Sequence, residues 1–226
     1  MSSRDSILEK LRSKERPFPH VLPLTTYQPM TPLAGEEASL RARFIQEAET
    51  LNVIVHQPID EGEAIQIILG LLATDRTVLA WDWMGIPLPN LRDELEAAHI
   101  SVALHDDPSV RVGISGANAA LAATGSVVLC SGNGRYRATS LLPPLHIVVI
   151  TSDQILPTLE QWISQQRANG LSVFQQISNI VIVSGPSRTA DIAMELILGM
   201  HGPGELHIVI LNPLYSGNSD DGNSDD

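Results

Sequence analysis

The chain has one cysteine, two lysines and three residues each of Trp, Tyr and Phe in 226 residues. A lone cysteine, Cys130, forms no internal disulfide and by itself holds neither an iron-sulfur cluster nor a structural zinc. It falls in an apolar strand pattern and reads as a small core residue, with a reactive thiol as the alternative because a Ser/Gly loop follows it. Lys10 and Lys14 are the only lysines, and both lie in the N-terminal segment. The body therefore has no Schiff-base lysine, which argues against pyridoxal-phosphate chemistry, lysine-dependent aldol cleavage and a Walker-type phosphate loop. No apolar run approaches the roughly 18 to 20 residues of a bilayer span, and the polar start is unlike a signal peptide. A cytoplasmic protein with no membrane partner is expected. Basic residues are also scarce: the net charge of -12 argues against nucleic acid.

What is present fits an ordinary globular chain, 43% apolar with 16 Gly and 15 Pro, long enough for one large α/β domain and an appendage. Its charge is uneven. Residues 36–107 hold 14 acidic and 4 basic residues, whereas 108–190 hold five arginines (Arg111, Arg135, Arg137, Arg167, Arg188) and only two acids, Asp153 and Glu160. An acidic protein that keeps one positive region suits a small anionic metabolite such as a carboxylate or phosphate ester; scattered charge is the alternative.

Patterning divides the chain into three parts. Residues 1–34 combine a short helix over 3–14 with a proline-rich arm (Pro17, Pro19, Pro23, Pro29, Pro32), extended and suited to lie across the body or to hold a homodimer. Residues 35–213 alternate helices (36–51, 60–73, 89–98, a short one near 117–123, 153–169, 189–199) with apolar strands (53–56, 77–81, 100–104, 110–114, 126–130, 146–150, 179–183, 206–211). This pattern predicts an α/β fold with a mainly parallel sheet flanked by helices. Residues 214–226 form an acidic tail of disordered composition.

Three Ser/Gly turns follow apolar strands. They are Gly113-Ile-Ser115-Gly116, Ser131-Gly132-Asn133-Gly134-Arg135 with Tyr136 and Arg137, and Ser184-Gly185-Pro186-Ser187-Arg188 with Thr189. A turn that opens a helix presents free N–H groups and a positive dipole end, and hydroxyls and guanidinium groups complete an anion shell. Turn residues serve plain connections as well. If all strands are parallel, the three turns leave one carboxyl edge, where open α/β sheets bind ligands.

The segments Gly113–Ser126, Ser140–Ile147, Ser184–Ile192 and Leu198–Pro203 with Glu205-Leu-His resemble the LUD domain family, of the LutC/YkgG lactate-utilisation type, over roughly residues 36–212. The resemblance implies a fold of the sugar-isomerase/CoA-transferase (NagB/RpiA/CoA transferase-like) kind and a role in oxidising L-lactate to pyruvate beside iron-sulfur partner proteins, with no cofactor in this chain. Two other functions stay open: an enzyme acting on a phosphorylated or CoA-linked compound, and a non-catalytic scaffold. The family commonly carries acidic residues where Asn118 and Ala123 stand, so no catalytic residue is assigned.

The candidate ligand-binding residues are Ser115, Gly116, Thr124, Gly125, Ser126, Ser131, Gly132, Gly134, Arg135, Arg137, Ser184, Gly185, Ser187, Arg188 and Thr189. Arg188 leads, as a first-turn arginine able to pair bidentately with an anion; a salt bridge to Asp191 or Glu195 is its alternative. His146 and His201 precede strands and are expected at the opposite sheet edge, in interface or structural roles. No metal site is expected, because His20, His56, His99, His105 and His207 lack ligand spacing.

Overall fold

The computed structural model describes residues 3–13, 37–104, 106–190 and 196–212. The proline arm, the acidic tail, His20, His105 and Asp191 lie outside the described residues. The chain divides after Met30. On the N-terminal side the described helix is α1 (Ser3–Ser13).

In the larger unit the order is α2 (Glu37–Thr50), β1 (Ile54–His56), α3 (Glu61–Leu72), β2 (Thr77–Ala80), α4 (Leu91–Ala97), β3 (Ser101–Val102), β4 (Val112–Ser115), β5 (Ala119–Leu121) and β6 (Ser126–Gly132). It continues with β7 (Leu145–Thr151), β8 (Ile155–Leu156), α5 (Leu159–Ala168), α6 (Ser172–Gln176), β9 (Ile177–Val183), β10 (Arg188–Ala190), β11 (Leu196–Leu198) and β12 (Glu205–Leu211). Helix starts follow their caps: the Asp60 carboxylate accepts from the Glu63 amide at 2.8 Å, and the Thr158 hydroxyl accepts from the Gln161 amide.

Six strands form one all-parallel sheet in the order β1-β12-β7-β4-β2-β3. Its central strands are apolar on both faces, as in Ile147, Val148, Val149 and Ile150, all fully buried. A parallel sheet covered on both sides requires this pattern. Phe44 and Ala48 of α2, Ile68 and Leu72 of α3 and Leu91 and Leu95 of α4 join these strands in one core.

A second sheet, β8-β5-β6-β9, adds Ala120, Val127 and Leu129 to that core from one face. Its other face, with Ala119, Leu121, Val128 and Cys130, packs on Trp162 of α5. Strands β5 and β9 both run antiparallel to β6.

Three expected helices give way to strands in whole or in part. The alanine-rich segment 117–123 has good helix propensity, yet Ala119–Leu121 is strand β5, held between β6 and β8 with all three residues buried. Small side chains let the sheet approach the core there, and tertiary packing overrides propensity. The expected helix 153–169 begins at Leu159, because Ile155–Leu156 pairs with β5 and the residue before Pro157 is excluded from helical geometry. Arg188–Ala190 pairs antiparallel with Leu196–Leu198 instead of opening a helix at 189. The dipole argument for an anion site after Ser184 therefore lapses. So does the single carboxyl edge: β6 and β9 run oppositely, so the turns that follow them lie at opposite ends of that strand pair. No described helix is long and apolar enough to cross a membrane.

Candidate functional site

Antiparallel β9 carries the turn Ser184–Arg188 to the amino edge of the parallel sheet. His146 and Leu206, each the second residue of its strand, stand there. Together these groups line an open cavity of about 320 Å³ between the two sheets. Ser140, Leu141, Val181, Val183, Ser184, Gly185, Ser187, Arg188 and His201 also line it. The histidines were expected at the opposite edge from the arginine turns, and for the 184–188 turn this is corrected: the antiparallel strand brings both into one site.

The cavity is open to solvent: Leu141, Ser184, Arg188 and His201 are exposed, and His146 and Leu206 are buried at its base. His146 is 1% exposed, and its Nε2 lies 2.8 Å from the equally buried Ser115 Oγ. Desolvation holds the imidazole neutral, with its pKa lowered to about 3. Ser115 thus joins the site through His146 rather than as an exposed nucleophile. Ser126 Oγ lies 2.8 Å from Ser184 Oγ, and Ser187 Oγ accepts from the His201 amide at 3.3 Å. Gly185 takes φ +85°, and a side-chain carbon there would stand 2.6 Å from the Leu51 carbonyl oxygen. That carbonyl accepts a hydrogen bond from Arg188 Nη2, so the arginine is anchored to the end of α2 while it lines the cavity. Among the described residues no acidic side chain lines the cavity, and the guanidinium charge favours an anion over a cation.

The remaining candidates lie elsewhere. Gly125 packs on α2, where an added side-chain carbon would stand 2.2 Å from the Ala48 amide nitrogen, and Thr124 precedes it in the same turn. Gly116 lies against the Gly85 carbonyl. Thr189 pairs with Ile197 across the β10–β11 ladder. Ser131 and Gly132 end β6, and the loop beyond them, Gly134 to Arg137, runs to the carboxyl end of β2. Arg135 lies there 5.8 Å from the centre of the Trp81 ring. Arg111, counted in the positive region, is tied to Asp75 at 2.6 Å.

Asn118 has a structural use: its side-chain oxygen accepts from the Cys130 amide at 2.9 Å. Cys130 is a buried core residue, and burial raises its thiol pKa. His56 and His207 form a stacked pair, Nε2 to Nδ1 at 2.9 Å. Among the described residues no group of three or more His, Cys, Asp or Glu is placed to hold a metal. Sequence reasoning missed Trp81-Asp82-Trp83. The available signal was the placing of two of three tryptophans around one acid in a chain with 4% aromatics.

The LUD domain model matches residues 41–211. The chain is 41% identical over 92 residues to lactate utilization protein C of Halalkalibacterium halodurans, covering 41% of this chain and 40% of that protein. It is 38% identical over 131 residues to lactate utilization protein C of Bacillus subtilis, covering 57% and 52%. The chain thus spans about half the length or less of these two curated relatives. A DUF162 family protein of Deinococcus radiodurans shares the fold, with a TM-score of 0.59 and 21% identity over 80% of this chain and 100% of that structure.

Proposed function

As the chain belongs to the LUD domain family, we propose that it is a component of an L-lactate utilisation system and binds a small carboxylate in the cavity between its sheets. The observation that carries the binding site is the convergence of Ser184, Ser187 and Arg188 with His146 and His201 in a cavity lined by no acid among the described residues. The likeness to proteins named lactate utilization protein C supplies the pathway. The carboxylate meets Arg188 and the two hydroxyls, and its carbon chain lies against Leu141, Val181 and Leu206.

Oxidation of lactate to pyruvate releases two electrons and two protons, which need an acceptor. In this reading that acceptor lies in iron-sulfur partner proteins, and this chain supplies ligand binding or assembly, in the cytoplasm.

Complementation tests the role. In a Bacillus subtilis strain lacking its lactate utilization protein C, this chain is expected to restore growth on L-lactate, and no restoration would count against the assignment. Thermal shift tests the site: L-lactate or pyruvate raises the melting temperature, isopropylamine does not, and Ser187→Ala with His146→Gln reduces the ligand-induced rise. An unchanged rise in both variants would place the ligand elsewhere.

A further inference from the structure

A sheet edge exposes unpaired backbone N–H and C=O groups, and proteins that stay apart from their own copies shorten such edges or place Pro or Lys on them. The two larger sheets end in four edge strands, of which three are short: β1 has three residues, β3 two and β8 two, with Pro157 next after β8. Strand β9, Ile-Ser-Asn-Ile-Val-Ile-Val, has seven, with neither a charge nor a proline. It pairs with β6 on one side, and no strand among the described residues pairs with it on the other.

The exposed face of β9 is apolar as well. In the ladder Ile182 stands opposite Val128 and Ile180 opposite Cys130, so all four share the face on which Trp162 of α5 packs. Cover by α5 stops at β6: Val128 and Cys130 are fully buried, whereas Ile180 is 36% and Ile182 44% exposed. A solvated strand position ordinarily holds a polar residue. Leu171 and Phe174, shortly before β9, are exposed too. From Ala168 to Ser187 the sequence holds no charged residue, in a chain of net charge -12. Two copies of so acidic a chain repel each other over most of their surface, and this stretch allows close approach without that repulsion.

We propose that β9 is a homodimer seam, pairing antiparallel and edge to edge with β9 of a second copy of this chain, so that the two copies share one continuous sheet. Antiparallel pairing of a strand with its own copy is a two-fold arrangement, in which the same patch serves both sides. With the axis at Val181, Ile180 meets Ile182 of the partner subunit and Ile182 meets Ile180 of the partner subunit, apolar against apolar at both contacts. The register shift opposite Ser131 and Gly132 lies at the start of β9 and leaves Asn179–Val183 regular for this pairing. An oppositely charged foreign partner finds no charge here to meet, whereas a like-charged copy finds none to avoid. Because Val181, Ile182 and Val183 also line the amino-edge cavity, the seam braces one wall of it. Pairing needs no ligand, so the failure of either reading leaves the other intact.

The test is sedimentation velocity of the full chain without ligand, over a micromolar concentration series at low and at high salt. The mass is expected to rise with concentration from 24.4 kDa toward twice that value, and added salt to strengthen the dimer by screening the charge of the two copies. Ile180→Lys/Ile182→Lys and Ile180→Glu/Ile182→Glu, with circular dichroism confirming that each is folded, should each raise the dissociation constant about tenfold or more by setting like charges opposite one another. Mixed in equal amounts, the two variants should dimerise again, since each lysine then meets a glutamate. A wild-type monomer throughout the series would overturn the proposal, as would a dimer untouched by either variant, the mark of a different interface. A mixture that stays monomeric would overturn the pairing of β9 with itself, and a dimer weakened by salt would overturn the uncharged seam.

Discussion

The turns 131–135 and 184–188 are built alike, each a Ser-Gly pair after an apolar strand, a glycine at positive φ and an arginine at the end, yet they serve opposite ends of the molecule. Gly134 turns the first toward Asp82 and lays Arg135 over Trp81. Gly185 turns the second onto the end of α2, where Arg188 bonds the Leu51 carbonyl beside the cavity floored by His146. The two turns are separated by the length of β6, six steps of about 3.3 Å each, or roughly 20 Å. The composition of a turn fixes its backbone geometry, and the direction of the strand before it fixes which ligand it can reach.

The largest expected difference between the two ends is in pH dependence, and it belongs to the 184–188 side. His146 has its pKa lowered from 6.5 to about 3 on folding. The unfolded chain therefore binds the extra proton first, so this contribution to stability is complete above about pH 6.5 and is lost as pH falls toward 3. Urea unfolding at pH 7, 5 and 4 should show wild type losing several kcal/mol more than His146→Gln over that range. Parallel losses in the two proteins would remove His146 as the cause.

Backbone substitutions come next. Gly185→Ala is expected to destabilise by about 2–4 kcal/mol, combining an unfavourable φ with a clash against backbone, and to abolish the response to lactate. Gly134→Ala, facing the side chain of Asp82, is expected to cost about 1–2 kcal/mol and to leave that response unchanged. Chemical unfolding with a ligand titration distinguishes the pair, and equal losses of lactate response would break the comparison. Among side chains, Arg188→Ala should cost about 1–2 kcal/mol through its bond to Leu51, and Arg135→Ala no more than about 1 kcal/mol through its contact with Trp81. Thermal unfolding of the two variants side by side checks the order.

Much of the fold was legible. Strands such as Leu145–Thr151 and Glu205–Leu211 are apolar on both faces and bounded by Pro and Gly, a pattern that marks buried parallel strands irrespective of neighbours. Residues 117–123 were misread as a helix because local preference yields to pairing with β6, just after it, and with the more distant β8, whereas the two ends of 189–199 pair with each other as β10 and β11. The 184–188 turn drew attention by its residue types, but its union with His146 and His201 could not be read from the sequence. It depends on β9 running antiparallel to β6, which the seven residues of β9 do not themselves encode. The family likeness was carried by ordered motifs spread over most of the chain, and residues 41–211 match the LUD domain accordingly.

Amide chemical-shift mapping of the ¹⁵N-labelled chain with L-lactate tests the central claim most directly. The account predicts saturable shifts confined to Ser184–Arg188, His146 and His201, with Gly132–Tyr136 unmoved. Shifts centred on Gly132–Tyr136, with the 184–188 turn silent, would contradict it.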